Sequence, residues 1–237
     1  MSVQQSAQLA IKQLDAGLPR LAPSTGALEA LKWLALCLMT LDHINNFLWN
    51  FGVPWMFAAG RLAMPIFAMT LAFNLSRSPL PARTLRVAKR LMVYGVIASV
   101  PFIALGRTES GLPLNILFTF AAATAVVALW QLGRFKTALA LFAAAGAVTD
   151  FKWPGLALVL ASHAYCVRPS ARALFGVLAS LSFLGGLNGN HWAFAGGALF
   201  AAAGLLPHQV NLNRNRSVFY LYYPAHLVVL LALQGLR

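Results

Sequence analysis

Acidic residues are nearly missing from this chain of 237 residues: five Asp and Glu stand against 18 Lys and Arg, a formal net charge of +13. Charges of both signs make up only 10% of the sequence, whereas an ordinary globular domain carries about 25%. Hydrophobic residues reach 59% and the mean hydropathy is +0.71. A water-soluble fold of this length has too little surface-forming material to cover that much apolar area. Cysteine is scarce too: Cys37 falls inside an apolar run and Cys166 at the end of another, which excludes a disulfide framework. With so few acidic and cysteine ligands no metal centre is expected, and phosphate-loop, zinc-site and serine-triad motifs are absent. Residues 1–26 lack the short apolar core and small-residue cleavage site of a signal peptide.

What is present is a series of apolar runs, over 30–49, 55–74, 88–106, 113–131, 136–149, 154–167, 171–187, 191–206 and 217–236. They predict an all-α, polytopic membrane protein of about nine transmembrane helices (roughly eight to ten), because several middle runs are shorter than the ~20 residues an untilted span needs. The excess basic charge would suggest nucleic acid if it formed a patch, but it is distributed by gap. Lys12, Arg20, Lys32, Arg77, Arg83, Arg86, Lys89, Arg90, Arg134, Lys136, Arg168, Arg172, Arg214 and Arg216 occupy alternate gaps, and the other gaps hold only Arg107, Lys152 and the terminal Arg237. This asymmetry reports orientation, with the N-terminus cytoplasmic, and no nucleic-acid partner is expected. Residues 1–26, with Leu9, Leu14, Leu18 and Leu21 among polar residues, read as a cytoplasmic or interfacial segment, and 27–237 as one transmembrane domain.

Against that background the polar residues inside the runs stand out. Asp42, His43 and Asn46 lie in the first run and Arg61 in the second. Ionisable groups in lipid cost several kcal/mol unless they are paired or border a wet cavity. Asp42 precedes Asn50 by eight residues, and Arg61 follows Pro54 by seven. At ~1.5 Å per residue each sits about 10–12 Å from the shared turn, so an ion pair is expected. Pro65 cannot donate to the carbonyl of Arg61 and should open a polar niche there. Asn46 shares a helix face with Asp42 and with His43. Tyr222, Tyr223, Pro224 and His226 fall near the middle of the last run, Asn115 opens the fourth, and Asp150 and Lys152 occupy a gap. One cavity would collect these residues. The plain structural alternative for Asp42 and Arg61 is a buried pair that fixes helix register.

Several segments together resemble one family. Ala30-Leu-Lys-Trp, then Met39-Thr-Leu-Asp42-His43-Ile, and Gly60-Arg61-Leu-Ala-Met-Pro65-Ile-Phe67-Ala are similar to the TraX family of bacterial membrane proteins. So are Asn115-Ile-Leu-Phe-Thr119, Asp150-Phe-Lys152-Trp-Pro-Gly155 and Phe219-Tyr-Leu-Tyr222-Tyr223-Pro224-Ala-His226. The chain departs from the family's acidic-Tyr-Gly pattern at Asp150-Phe151-Lys152. The resemblance implies an integral-membrane transferase of the bacterial inner membrane that acts on a conjugative pilin subunit within the phospholipid bilayer, most directly by N-terminal acetylation from acetyl-CoA. Under it His43, oriented by Asp42, is the expected base, and Arg61 holds the donor's phosphate or carbonyl. His226 relays protons, while Asn46, Asn115, Asp150, Lys152, Tyr222 and Tyr223 are expected to bind substrate. Two donors stay open. Acetyl-CoA would enter from the basic face past Arg83, Arg86, Lys89 and Arg90, whereas phosphatidylglycerol would supply a glycerophosphate. Readings from other classes are a proton-coupled transporter and a non-catalytic pilin assembly factor.

Overall fold

The computed structural model describes residues 12–78, 80–106, 112–205, 212 and 215–236. Leu9, Arg107, Arg214 and Arg237, which entered the readings above, lie outside them. Local chemistry sets the helix ends. Ser24 caps α1 (Thr25–Phe47), its hydroxyl accepting from the Ala27 N–H at 3.1 Å. Proline opens both α2 (Pro54–Gly60) and α4 (Pro81–Ala104), at the position where a missing N–H is harmless. Asn115 caps α5 (Ile116–Gln131), Ser170 caps α8 (Ala171–Asn188), and Gly189 ends α8 in the left-handed region at φ 68°. The remaining helices are α3 (Ala63–Ser76), α6 (Phe135–Val148), α7 (Lys152–Val167), α9 (Ala193–Leu205) and α10 (Arg216–Gly235).

Where the sequence predicts one run over 55–74, the chain breaks at Arg61 and Leu62, between α2 and α3. Pro65 is the physical reason, since it cannot reach back to the Arg61 carbonyl. The Arg61 and Leu62 N–H groups turn instead to Ala58 and Ala59, three residues back, both at 3.2 Å. That tightened turn offsets the two half-helices without interrupting the run.

Packing follows from small residues. The central helix α3 lies against α1, α7 and α9. Its Ala63, Ala68 and Ala72 are buried, and a Cβ on Gly196 of α9 would meet the Leu62 carbonyl oxygen at 2.6 Å. Such residues let helix backbones approach closely, which matters most where lipid removes any hydrophobic drive between helices. The large apolar side chains point the other way: Val100 is 73% exposed, Phe175 72% and Phe183 68%. An outside this apolar suits a bilayer. Among the described residues four segments are long and apolar enough to cross one, Pro54–Ser76, Pro81–Ala104, Ala171–Asn188 and Val218–Gly235, while α5, α6 and α9 are apolar but shorter.

The described part of the N-terminal segment is tied down rather than trailing. Residues 12–17 are helical, and Asp15 accepts from the first N–H of α8, at Ala171, at 2.7 Å. The Tyr165 hydroxyl donates to the Pro19 carbonyl and Ala22 N–H to Gly204. At the other end of α1, Asn45 is fully buried and clamps the turn to α2. Its Oδ1 accepts from the Val53 N–H at 2.9 Å, and its Nδ2 donates to the Val53 carbonyl at 3.0 Å. The clamp holds a turn in which Asn50 and Phe51 both take positive φ, 46° and 60°. Asn45→Ala should therefore lower stability by about 1–3 kcal/mol, the cost of stranding buried backbone groups, read as a fall in the thermal unfolding midpoint of the purified protein.

Candidate active site inside the helix bundle

The break at Arg61 turns its side chain across to α1, where the guanidinium Nη2 pairs with Asp42 Oδ2. Both side chains are about 15% exposed, so the pair is largely desolvated and each charge needs the other. Gly60 makes the approach possible, because a Cβ there would collide with the Asp42 side chain. Arg61 is steadied further by the Phe57 ring, 4.4 Å from its guanidinium carbon, and donates from Nη1 to Asn188 Oδ1 at 3.3 Å. Its Nε is buried with no hydrogen-bond partner among the described residues. A donor therefore remains on this side chain.

One helix position from Asp42, His43 makes a different contact. Its Nδ1 lies 2.7 Å from Nε2 of His226 on α10, with the rings stacked at 5.0 Å. His226 Nδ1 lies 3.0 Å from the Tyr222 carbonyl oxygen, which can only accept. The chain of roles follows. His226 carries its proton on Nδ1, a neutral His226 then accepts at Nε2, and His43 donates from Nδ1. The lone pair of His43 falls on Nε2, the nitrogen a general base uses. Tyr222 stacks on His226 at 5.3 Å, and its hydroxyl meets Thr40 Oγ1 at 2.8 Å, so both histidine rings are held from behind.

From the opposite wall comes the segment Asp150–Gly155. Leu114 and Thr149 form an isolated bridge, with Asp150 N–H donating to the Leu114 carbonyl at 2.8 Å and Thr119 Oγ1 donating to the Asp150 carbonyl at 2.6 Å. Phe151 and Lys152 then both take left-handed backbone, φ 58° and 47°. Two consecutive side-chain-bearing residues in that region store backbone strain, which persists only where surroundings enforce it. The consequence is that Asp150, Phe151 and Lys152 all line the cavity that Asp42, His43 and Arg61 line from the other side. This cavity encloses about 250 Å³, and Asn188 and Tyr223 also face it.

Six of the residues expected from sequence thus border one space: Asp42, His43, Arg61, Asp150, Lys152 and Tyr223. His226 and Tyr222 stand behind His43 as its support. Asn115 is fully buried and bonded elsewhere, capping α5 at the Leu117 N–H and donating to the Gly95 carbonyl and to Ser99 Oγ. Asn46 is half-buried and is not among the residues lining the cavity. Two further contributors are Asn188, which the sequence groups with the polar residues of the external gaps, and Gly60. Gly60 could have been found as the glycine adjoining an intramembrane arginine.

The family model described as TraX protein matches residues 27–234. A Protein TraX of Escherichia coli is 40% identical over 108 residues, 44% of this chain and 40% of that relative. Another Protein TraX, from Escherichia coli strain K12, is 36% identical over 149 residues, 59% of this chain and 56% of the relative. The matched stretches thus cover about half the length of these relatives. No solved structure matches the chain. The chain belongs to the TraX family.

The ion pair dictates how the site responds to substitution. Arg61→Ala strands the Asp42 carboxylate and should cost about 3–5 kcal/mol, whereas removing both partners should cost less than the sum of the single changes by about 1 kcal/mol or more. Unfolding of the two single variants and the double variant in detergent micelles measures this coupling.

Proposed function

We propose that this TraX-family chain is a multi-pass transferase of the bacterial inner membrane, with about nine spans and a cytoplasmic N-terminus, and that it modifies a conjugative pilin subunit. The reaction it fits best is acetylation of the pilin N-terminal amine with acetyl-CoA as donor. The observation that carries the reading is the placement of a tautomer-fixed histidine beside the Arg61–Asp42 pair, with Asp150 and Lys152 lining the same cavity of an otherwise apolar bundle. A register-fixing ion pair needs none of the additional groups.

The chemistry is a single displacement at an acyl carbon. The neutral amine of the acceptor attacks the thioester carbonyl, forming the C–N bond and a tetrahedral oxyanion. His43 Nε2 takes the proton that the amine loses, and the C–S bond breaks as the carbonyl re-forms. The departing thiolate receives that proton from His43, so the histidine is restored. Arg61 lines the same cavity, and its Nε–H, without a protein acceptor among the described residues, suits the oxyanion. Asp150 matches the charge of an approaching ammonium group before it is deprotonated. Transfer of glycerophosphate from phosphatidylglycerol would use the same arginine on phosphate and the same histidine for acid–base work.

The intact mass of the cognate pilin, from cells with and without this protein, tests the reading. Loss of about 42 Da on deletion corresponds to an acetyl group, and loss of about 154 Da to a glycerophosphate. No change in mass would overturn both transfers in favour of transport or passive assembly. Within the transferase reading, His43→Ala should reduce modification by about 10²–10⁴-fold, the usual worth of a general base. His226→Ala removes only the partner that sets the His43 tautomer and should cost less, with His226→Gln retaining part of the activity by still accepting from His43 Nδ1.

A further inference from the structure

A second and larger cavity, about 610 Å³, lies behind the first at the end of the bundle that carries the basic gaps. Lys32, Arg77, Arg83, Arg86 and Arg90 line it, and no acidic residue is among its described lining. Arg83, Arg86 and Arg90 are spaced three and four residues apart on α4 and so project from one helix face. Lys89, grouped with them in the sequence reading, is not in the lining. Lys32 is the most firmly placed of the five: its Nζ bonds Glu29 Oε1 at 2.6 Å and sits 4.0 Å from the Phe219 ring centre. Glu29 itself is 1% exposed. An almost fully buried carboxylate therefore holds one cation in position at the cavity wall.

The two cavities are separated by a single layer of side chains. Met39, Phe67, Ile116 and Tyr223, from α1, α3, α5 and α10, line both. Tyr223 also packs edge-on against the rings of His43 and His226, at 6.3 and 5.3 Å. Whatever enters the basic cavity is therefore one side-chain layer from the histidine pair.

We infer that the basic cavity binds the phosphate-bearing end of the group donor, and that the septum of Met39, Phe67, Ile116 and Tyr223 is the passage through which the donor's reactive end reaches His43. This rests on the transferase reading above. Five cationic groups, one of them already paired with Glu29, match a ligand with several phosphate charges better than one phosphodiester, which carries a single negative charge. An elongated, uncharged arm is required as well, since the septum is lined by apolar and aromatic groups. A nucleotide thioester has both features, and an anionic phospholipid headgroup shares the phosphate chemistry. The arrangement also brings a donor from the basic face to a site that the opposite loops, through Asp150 and Lys152, help to build.

The test uses the full chain in nanodiscs of neutral phosphatidylcholine, titrated with coenzyme A, and in parallel the retention of phosphatidylglycerol by native mass spectrometry. Coenzyme A binding that weakens about tenfold or more in R86Q/R90Q, with an unchanged unfolding midpoint, supports the pocket and a soluble nucleotide donor. Phosphatidylglycerol retention that falls in the same variant, without coenzyme A binding, supports the pocket and a lipid donor. Binding of neither, or binding indifferent to the two arginines, overturns the assignment. Ile116→Trp checks the septum: coenzyme A affinity should be kept while pilin modification is lost, and modification at the wild-type level would refute the passage. Failure of the transferase reading shows separately, as a wild-type pilin mass that does not depend on this protein.

Discussion

The pairing of Arg61 with Asp42 is the constraint on which the rest of the site depends. A guanidinium and a carboxylate taken out of water each carry a desolvation penalty of several kcal/mol, recovered only when they meet at close range. Meeting requires that two antiparallel helices touch at one level, and Gly60 supplies the missing Cβ that lets them. It requires too that Arg61 leave the regular helix, and Pro65 supplies the break. Once the pair is in place, the α1–α2 turn has a fixed length and tension, which Asn45 holds with two hydrogen bonds to Val53. His43, one residue further round α1, is thereby aimed at α10. A local electrostatic need thus places the histidine that meets His226.

Much of this was legible in the sequence because membrane proteins leave strong traces. The scarcity of charge declared the apolar bundle, and counting residues from the α1–α2 turn placed Asp42 and Arg61 at one depth. Pro65 pointed to the carbonyl it frees, although the sequence pattern did not show that the run would split into α2 and α3. The Asp150–Gly155 segment is held by hydrogen bonds to Leu114 and Thr119. Its strained backbone at Phe151 and Lys152 is invisible in residue types that ordinarily avoid positive φ.

What the sequence leaves hidden has equally concrete causes. Asn45 and Asn46 differ by one position, or about 100° of helix rotation; the periodicity that groups Asn46 with Asp42 and His43 gives no sign that Asn45 is the one that clamps the α1–α2 turn. Under the resemblance Asn115 is expected to bind substrate. Its amide is instead occupied by a helix cap and by the backbone of α4, bonds that no reading of α5 alone could reveal. His43 and His226 are separated by 183 positions. Their contact depends on the packing of α10 against α1, and two antiparallel helices can slide by a turn without altering either pattern.

The shortage of acidic residues explains the form the histidine site takes. A base is usually oriented by a carboxylate, which also stabilises its protonated state. In this chain Asp42 already answers to Arg61, and a further buried carboxylate beside His43 would need its own counter-charge in the apolar bundle. A second imidazole avoids that requirement. It is neutral, its tautomer is fixed by a backbone carbonyl that no mutation removes, and its Nε2 accepts the one proton His43 must not carry on the reactive side. Orientation is thus obtained with no net charge, which is the cheaper solution inside lipid. What the arrangement gives up is the electrostatic stabilisation of an imidazolium. In the proposed transfer His43 would hold the proton only between the entering amine and the departing thiolate, so that stabilisation would be needed only briefly.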